Sequence, residues 1–365
     1  MQVERRNPRE ILAEDYGAQI ESFEDKIEVS LAALEIEDLT QAAQLLIQLG
    51  TISSLDVSQC EALKSLNGIE LLPDLEAFSA ANCPQLSALT PLFSLPSLRS
   101  VTINECPKLN EDITLPTTPS LEGLYIENCQ KLKQVTFTQS PILKQLFLGG
   151  NIQLSRIAGL EQLSQLTDLD ISTCHQLQDL EGIHSLTELL MFDLRNTSSL
   201  PNLDFLAKLS SVEILRLGGM DSFQNLSALA NLDNLHELHI EACDQLTSLE
   251  GLPSNSQLNY MGFSYCSKLS TLQGISKASQ LEQLAITNCE NLTNITEISA
   301  SRQLQNVDFA HCKTLSDITP LTTLKQLQLI QLADTSASDE AIKALKKALP
   351  KTIIVQVADD GPPSY

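Results

Sequence analysis

Apolar residues recur along this chain with two different periods. In residues 166–171 apolar and polar positions include an alternating stretch, which predicts a short strand with one buried face. From Leu177 to Leu186 an apolar residue falls on every third position instead. A period of three suits a 3₁₀-like or extended segment and does not suit an α-helix, whose period is 3.6. The pattern therefore predicts a strand followed by an extended or 3₁₀ return.

This strand-and-return unit repeats in register. The phrase L-x-x-L-x-L-x-x-C recurs, and its last residue, here called the anchor, serves to align the copies. Successive anchors are 23 residues apart, with one step of 22 between Cys129 and Asn151. The anchors are Cys60, Cys83, Cys106, Cys129, Asn151, Cys174, Thr197, Met220, Cys243, Cys266, Cys289, Cys312 and Thr335. One unit cannot bury its own leucines, so we expect the thirteen units to stack into a solenoid.

The repeated phrase resembles the leucine-rich repeat, whose period is 20–29 residues and whose anchor is Asn or Cys. The resemblance covers roughly residues 31–335. Segments 181–183 and 316–321 look like the short repeats of internalins and of the phosphatase-1 regulatory leucine-rich subunit, and segment 121–129 looks like those of plant intracellular immune receptors. The expected fold is an α/β solenoid, a curved superhelix with a parallel β-sheet on its concave face and 3₁₀ or extended segments on its convex face.

The ends of the chain depart from the repeat and predict caps. Residues 1–50 are expected to form an acidic, helical N-terminal cap, with a helix over 38–50 that a glycine ends. Residues 51–335 hold the thirteen repeats. Residues 336–358 are expected to form a C-terminal cap, in which a helix begins after Ser338 and a strand follows. Residues 359–365 are expected to be a flexible tail. Within the repeats, four segments depart from the repeat rule, either as tolerated loop variation or as a second contact surface. They are 111–120, 136–141, 253–257 and 299–303.

Every cysteine of the chain lies at an anchor. In the resembling family this position points inward and bonds the backbone of the turn, so the anchors are expected to form a structural ladder. A disulfide framework and a zinc site are the alternatives. The total of nine is odd and no C-x-x-C pair exists, which disfavours both. Free thiols predict a reducing, cytoplasmic location. The first eight residues lead into no apolar run, so no signal peptide is expected, and export by a non-classical route stays open.

Composition narrows the classes of partner. Lys and Arg total 23 and Asp and Glu total 46, which gives a formal charge of −23. Nucleic acid and anionic membrane surfaces need a basic face, so neither is an expected partner. The apolar fraction of 42% is too high for a disordered acidic chain. The expected partner is a protein with a basic surface, bound by a monomer.

Catalytic and metal signals in the sequence are weak. Cys174-His175 and His311-Cys312 pair two reactive residue types, but adjacent residues on a strand face opposite ways. His236 and His239 share a face only on a helix, so we expect them to diverge here. No cofactor, no metal and no catalytic residue is predicted. The flanks of about 50 and 30 residues are too short for a catalytic domain of typical size, which counts against an enzyme.

The concave face carries the most informative side chains. Aligning the repeats brings aromatic, acidic and arginine residues together in its middle, and such residues are enriched in binding hot spots. The predicted partner-binding residues are Tyr125, Phe147, Asp168, Asp170, Met191, Asp193, Arg195, Ile214, Arg216, Glu237, His239, Glu241, Tyr260 and Tyr265. In the alternative interpretation, an acidic protein simply has acidic faces, and Arg195 and Arg216 pair with Asp170 and Asp193.

Two hypotheses of function follow. The first is a non-catalytic protein-binding module that holds its partner on the acidic, tyrosine-containing concave face. The second is a secreted bacterial-type effector with leucine-rich repeats that binds a host protein. The sequence does not separate the two.

Overall fold

The protein folds into two compact units, residues 1–189 and 190–365. The computed structural model describes residues 7–15, 17–23, 26–110, 112–220, 223–254 and 257–356. The predicted flexible tail, residues 359–365, lies outside the described residues. In each unit, parallel strands carry alternating buried residues and are joined by 3₁₀ segments, so the predicted solenoid class is confirmed.

In the first unit a parallel sheet is extended at its N-terminal end by a hairpin. Its helices are α1 (Pro8–Asp15) and α2 (Thr40–Leu46). Its strands are β1 (Gln19–Phe23), β2 (Lys26–Ser30), β3 (Ile52–Asp56), β4 (Ala77–Ala81), β5 (Ser100–Asn104), β6 (Asp112–Thr117), β7 (Gly123–Glu127), β8 (Gln134–Gln139), β9 (Gln145–Phe147), β10 (Arg156–Ala158) and β11 (Asp168–Asp170). Its 3₁₀ segments are Ile69–Leu71, Leu92–Ser94, Leu160–Gln162 and Ile183–Ser185.

The N-terminal region is not helical throughout, which corrects the prediction for residues 1–50. Strands β1 and β2 pair antiparallel, and β2 pairs parallel to β3. Strand β2 thus adds a repeat-like strand to the sheet, and the Cys60 thiol donates to the Leu31 carbonyl at 3.2 Å, as anchors do elsewhere. This strand lies 26 residues before its neighbour, outside the 23-residue register, so the repeated phrase does not reveal it. Helix α2 is also shorter than the predicted 38–50.

The two irregular segments of the first unit are ordered as strands. Strands β6 and β8, together with β10, form a separate three-stranded parallel sheet in the order β10-β8-β6. At its end, the hydroxyls of Thr118 and Ser140, which are buried, lie 2.7 Å apart in a hydrogen bond. These two polar residues stand where neighbouring repeats have a leucine, and each satisfies the other.

The second unit continues the same alternation of strand and 3₁₀ return. Its strands are β12 (Met191–Arg195), β13 (Ile214–Gly218), β14 (Glu237–Glu241), β15 (Tyr260–Ser264), β16 (Gln283–Thr287), β17 (Asn306–Asp308), β18 (Leu329–Gln331) and β19 (Ile353–Val355), and its helix is α3 (Asp339–Ala348). Its 3₁₀ segments are Asp204–Lys208, Ser227–Leu229, Ile275–Lys277, Thr296–Ala300 and Thr319–Thr323. The Ser338 hydroxyl accepts from the Ala341 N–H at 3.2 Å and caps α3.

A left-handed turn joins each strand to its anchor. The residue just before the anchor has a positive φ in both units, for example 56° at Asn128 and 55° at Asn288. Asn adopts this conformation more readily than most side chains, which explains its recurrence there. Tyr265, with a φ of 55°, occupies the same position. The sequence alignment places this position at the end of the strand, whereas the structure places it in the turn.

The anchors form the predicted ladder, which is confirmed. All nine cysteines are free and buried. Thiols of the ladder donate to carbonyls of the preceding repeat, as Cys174 does to Leu148 at 3.2 Å and Cys312 to Ile286 at 3.1 Å. Thr197 donates to Leu194 at 2.7 Å in place of a thiol. The ladder therefore satisfies backbone carbonyls that the strand leaves unpaired.

Burial shields all nine thiols from solvent in the folded protein. A hydrogen bond with Cys106 lowers the pKa of Cys129, whereas burial raises the pKa of Cys174 and of Cys312 to about 12. Only the thiolate attacks a disulfide, and at pH 8 a thiol of that pKa is ionised to about one part in 10⁴. We expect the native protein to react with a chromogenic disulfide reagent at least about 100-fold more slowly than free glutathione. Urea should expose all nine thiols. Rapid reaction of several thiols without urea would contradict this prediction.

Candidate binding surface

The side chains on the solvent side of each parallel sheet line up in columns across the strands. We call this side the exposed sheet face of a unit and the column through the strand centres its middle column. In the first unit the middle column is Asp56, Ser79, Thr102, Tyr125, Phe147 and Asp170. In the second unit it is Asp193, Arg216, His239, Gly262, Ala285, Asp308 and Gln331.

An aromatic pair marks the exposed sheet face of the first unit. The rings of Tyr125 and Phe147 stack with their centroids 5.1 Å apart and an interplanar angle of 28°. The Tyr125 hydroxyl donates to the side-chain oxygen of Gln145. A Cβ atom at Gly123 would lie 2.9 Å from the Tyr125 ring, so the missing side chain gives the ring its place along the strand. The pair forms a half-buried apolar platform of fixed orientation.

Carboxylates surround this platform. Asp168 accepts from the Thr167 hydroxyl at 2.6 Å, and Asp170 accepts from the Ser172 N–H at 2.8 Å. Burial, and secondarily the charges of Asp168 and Glu127, raises the pKa of Tyr125. The phenol is therefore neutral and remains a hydrogen-bond donor. The predicted residues of the first unit thus lie together on one face.

Basic residues of the first unit lie at the edge of this face, where the sequence analysis did not place them. A groove of about 400 Å³ runs beside Tyr125 and is also lined by Arg99, Glu122 and Lys144. The Arg99 guanidinium lies 2.5 Å from Glu122, and the Lys144 ammonium lies 3.9 Å from it. The acidic face is therefore bordered by cations that are already paired with an acid.

In the second unit, Asp193 and Arg195 form a closed ion pair. Asp193 is only 3% exposed, and Arg195 donates to its two carboxylate oxygens at 2.7 to 3.2 Å. The Arg195 guanidinium also lies 3.7 Å from Glu241. Gly218 lies between them, and a Cβ atom there would stand 3.3 Å from Arg195 Cγ. For Arg195 the geometry therefore favours the interpretation that the arginine pairs with Asp193. The Asp193 carboxylate is almost fully buried against this arginine.

Arg216 behaves differently from Arg195. It lies opposite Asp193 in the sheet register, yet it makes no ion pair or hydrogen bond with any residue that the structure describes. Beside it, Met191 and Ile214 are half-buried in the neighbouring column of the same face. Arg216 therefore offers a guanidinium whose donors are available to a partner.

His239 and Tyr260 form a second aromatic pair in the second unit. Their ring centroids lie 4.8 Å apart, with an interplanar angle of 30°. His239 Nε2 is 3.4 Å from a Glu237 carboxylate oxygen. Burial lowers the pKa of His239, and the nearby Arg216 and Arg195 charges lower it further, although the hydrogen bond to Glu237 opposes them. The imidazole is therefore neutral near pH 7 and adds no positive charge to the face.

A depression of about 740 Å³ opens on this face next to the His239–Tyr260 pair. It is lined by predicted residues, namely Arg195, Arg216, Glu237, His239, Glu241 and Tyr260. The sequence analysis missed several other residues that line it, among them Gly262, Glu282, Gln283 and Ala285. The sequence feature that could have revealed the depression is the pair of small residues, Gly262 and Ala285, at successive positions of the middle column.

Tyr265 lies apart from the depression. It is 57% exposed at the left-handed turn and does not line the cavity. Glu105 and Asp334 also precede an anchor and occupy the same kind of turn, with φ of 53° and 54°, so their carboxylates do not belong to the strand columns of the exposed sheet face.

The residues that suggested chemistry are spread through the fold. The Cys174 thiol points inward to Leu148, and His311, at a left-handed turn, lies 3.3 Å from the carboxylate of Asp334. In the described part of the chain, no group of three or more His, Cys, Asp or Glu residues is placed to hold a metal ion. Among the same residues, no helix combines the length and apolar character that crossing a membrane requires.

Together, the stacked strands, the 3₁₀ returns and the buried ladder define a leucine-rich repeat protein. The chain belongs to the family described as BspA type leucine rich repeat region, whose sequence pattern matches residues 40–153, 140–270 and 239–338. No curated protein sequence is similar enough to match the chain.

Solved structures share the fold at low sequence identity. The functional domain of InlJ from Listeria monocytogenes, which includes a cysteine ladder, is 16% identical, with a TM-score of 0.54 over 90% of this chain and 71% of that one. The internalin InlF from the same organism is 15% identical, with a TM-score of 0.48 and coverages of 92% and 87%. TLR13, solved in complex with the RNA ssRNA13, is 15% identical, with a TM-score of 0.52 and coverages of 88% and 56%. At these identities the likeness to InlJ and TLR13 shows the fold alone.

Proposed function

We propose that this protein is a non-catalytic binding module that holds a protein partner on the exposed sheet faces of its units. The observation that carries the proposal is the arrangement of aromatic and arginine side chains there. Tyr125 stacks on Phe147, Tyr260 stacks on His239, and Arg216 is unpaired among the described residues. Tyr and Arg are enriched among the residues that contribute most of the binding energy in protein interfaces. Tyr125 and Tyr260 are half-buried here, and their ring contacts restrict their rotamers.

The charge of the faces supports a partner with a basic surface. Glu127, Asp168 and Asp170 surround the first aromatic pair, and Glu237 and Glu241 lie beside the second. Complementary charge raises the rate of encounter and disfavours acidic partners. The proposal therefore does not include nucleic acid or anionic membranes as partners, because both are negatively charged like these faces. We further propose a reducing compartment as the place of action, because the nine thiols are free.

The test is affinity capture from reduced lysate of the source cells, identified by mass spectrometry and followed by measurement of Kd. Two double variants address the two faces separately, Tyr125→Ala with Phe147→Ala and Arg216→Ala with Tyr260→Ala. We expect at least one to weaken binding by about 30-fold or more, since hot-spot truncations cost ~2 kcal/mol or more. Lys208→Ala with Lys277→Ala, on the exposed side of 3₁₀ segments, is the matched control and should bind like the wild type.

Two outcomes would contradict the proposal. Loss of the partner in the control and retention in both face variants would place the interface on the 3₁₀ side. Absence of any captured protein, both from source-cell lysate and from lysate of a host cell, would argue against a protein-binding role. A partner found only in host lysate would instead support the secreted effector hypothesis with the same binding surface.

A further inference from the structure

The depression in the second unit lies where the middle column of the sheet changes from large residues to small ones. The middle column carries Arg216 and His239 and then falls to Gly262 and Ala285 on the next two strands. Neighbouring strands lie about 4.8 Å apart, so these two positions leave a stretch of roughly 10 Å of the middle column without a large side chain of its own. The resulting cavity of about 740 Å³ is open to solvent and large enough for a long side chain of a partner.

One wall of the depression is an aromatic face held in place. A Cβ atom at Gly262 would stand 2.9 Å from the Tyr260 hydroxyl oxygen and 3.1 Å from a ring carbon, so the ring lies along its own strand over the glycine. The His239 ring stacks against it at 4.8 Å between centroids. The glycine and the ring contact together fix the orientation of the Tyr260 side chain. Binding a partner therefore costs little further side-chain entropy at this residue, because folding has already ordered it.

The charged groups around the depression favour a cation within it. Three carboxylates, Glu237, Glu241 and Glu282, line the cavity together with two guanidiniums. Arg195 is already neutralised by the buried Asp193 and by Glu241. Arg216 lies two strands from Gly262 in the register, which separates their backbones by roughly 10 Å, although its side chain also lines the cavity. The space beside the Tyr260 ring therefore faces an excess of carboxylates, because only one of the two guanidiniums is not already neutralised.

We infer that this depression is a socket for one lysine or arginine side chain of the protein partner. The inference rests on the proposed binding function and names the part of the partner that the second unit recognises. The cation would lie against the Tyr260 ring, since an aromatic face attracts a cation, and its charge would be balanced by Glu237 and Glu282. An acidic side chain would be repelled by the Glu237 and Glu282 carboxylates, and an apolar one would desolvate them without supplying a positive charge.

The inference is tested with a displayed library of random twelve-residue peptides, selected on the full-length protein under reducing conditions. We expect most selected peptides to share a Lys or Arg at one aligned position. Replacement of that residue by norleucine or methionine in a synthetic copy should weaken binding by about tenfold or more. The affinity should also fall as salt is raised, because the contact is ionic.

Variants of the protein locate the contact. Gly262→Gln places a long neutral side chain where the Tyr260 ring lies, so it displaces that ring from the cavity and should weaken the selected peptides by about tenfold. The backbone of the strand tolerates such a residue, because the same column holds Arg216 and His239 on neighbouring strands and the atom that must shift first is the hydroxyl end of a side chain. Thr102→Gln makes the equivalent change in the middle column of the first unit and serves as the control. Glu237→Gln removes one carboxylate without changing its size and should weaken cationic peptides more than their norleucine copies.

The outcomes separate this inference from the proposed function. Peptides that bind but share no basic residue, or that bind Gly262→Gln as well as wild type, would overturn the socket and leave the binding module standing. If neither the library nor the lysates supply a ligand, both proposals are wrong. Loss of binding in Thr102→Gln and Gly262→Gln alike would also overturn the socket, because the contact would not be local to the depression.

Discussion

Replacing Asn151 by alanine is expected to lower the free energy of unfolding by about 3–5 kcal/mol, since each buried backbone group left unsatisfied costs about 1–3 kcal/mol. Asn151 is fully buried at the ladder position. Its amide donates to the carbonyls of Ile126 at 2.6 Å and Leu148 at 2.7 Å, and its oxygen accepts from the Cys129 N–H at 2.9 Å. Alanine would remove these bonds from the Cys129 N–H and the Ile126 carbonyl, and it would leave the Leu148 carbonyl with only the weak Cys174 thiol donor.

The measurement is urea unfolding followed by circular dichroism, with Cys174→Ala as the matched comparison. Cys174 occupies the next rung, and its thiol donates to the Leu148 carbonyl at 3.2 Å. A thiol is a weak donor, so this variant should lose only about 1–2 kcal/mol. Equal losses in the two variants would show that the amide of Asn151 contributes nothing beyond filling space.

Replacing Gly159 by alanine is expected to cost about 2–4 kcal/mol, from a strained left-handed backbone together with overpacking. Gly159 has a φ of 83° just before the 3₁₀ segment Leu160–Gln162. A Cβ atom there would lie 2.1 Å from the carbonyl oxygen of Phe137 in the preceding repeat. That oxygen belongs to backbone within strand β8, so it cannot move aside as a flexible side chain would.

Gly17→Ala separates the two contributions in the same unfolding measurement. Gly17 has a similar φ of 66°, but a Cβ atom would lie 3.5 Å from its nearest neighbour, a methyl of Leu34. This variant should lose about 1 kcal/mol, which is the cost of the backbone conformation alone. If Gly159→Ala is no more damaging than Gly17→Ala, the contact between repeats is looser than the structure indicates.

The repeat register was predictable because a solenoid makes tertiary neighbours out of residues at a constant spacing. Cys106 and Cys129, for instance, are 23 residues apart in the chain and occupy the same position in successive repeats. The alternating apolar residues then determine which side chains are buried. The same alignment put Tyr125 beside Phe147, and their rings do stack. The left-handed turn was also within reach, since Asn128 and Asn288 mark it, but Tyr265 was placed on the strand.

Parts of the fold that leave the 23-residue register were not predictable in this way. Strand β2 joins the sheet 26 residues before β3, and its segment lacks the repeated phrase. Strands β6 and β8 build a second sheet from segments that looked like irregular loops. Apolar residues do alternate in these strands, as Ile113 and Leu115 do in β6 and Val135 and Phe137 do in β8. That alternation does not identify the neighbouring strand, because the pairing depends on backbone hydrogen bonds between repeats.

The repeats, their anchors and the columns of the exposed face follow from the order of the residues alone, because each unit is forced to bury its leucines against the next. The pairing and the orientation of the exposed side chains do not follow from the order of the residues. In the alignment both Arg195 and Arg216 are neighbours of Asp193, one on the same strand and one on the next strand. In the structure Arg195 forms an ion pair with Asp193, and Arg216 does not. The depression over Gly262 likewise depends on where Tyr260 and His239 place their rings. Long side chains choose among rotamers by three-dimensional packing and charge, so these choices appear only once the chain is folded.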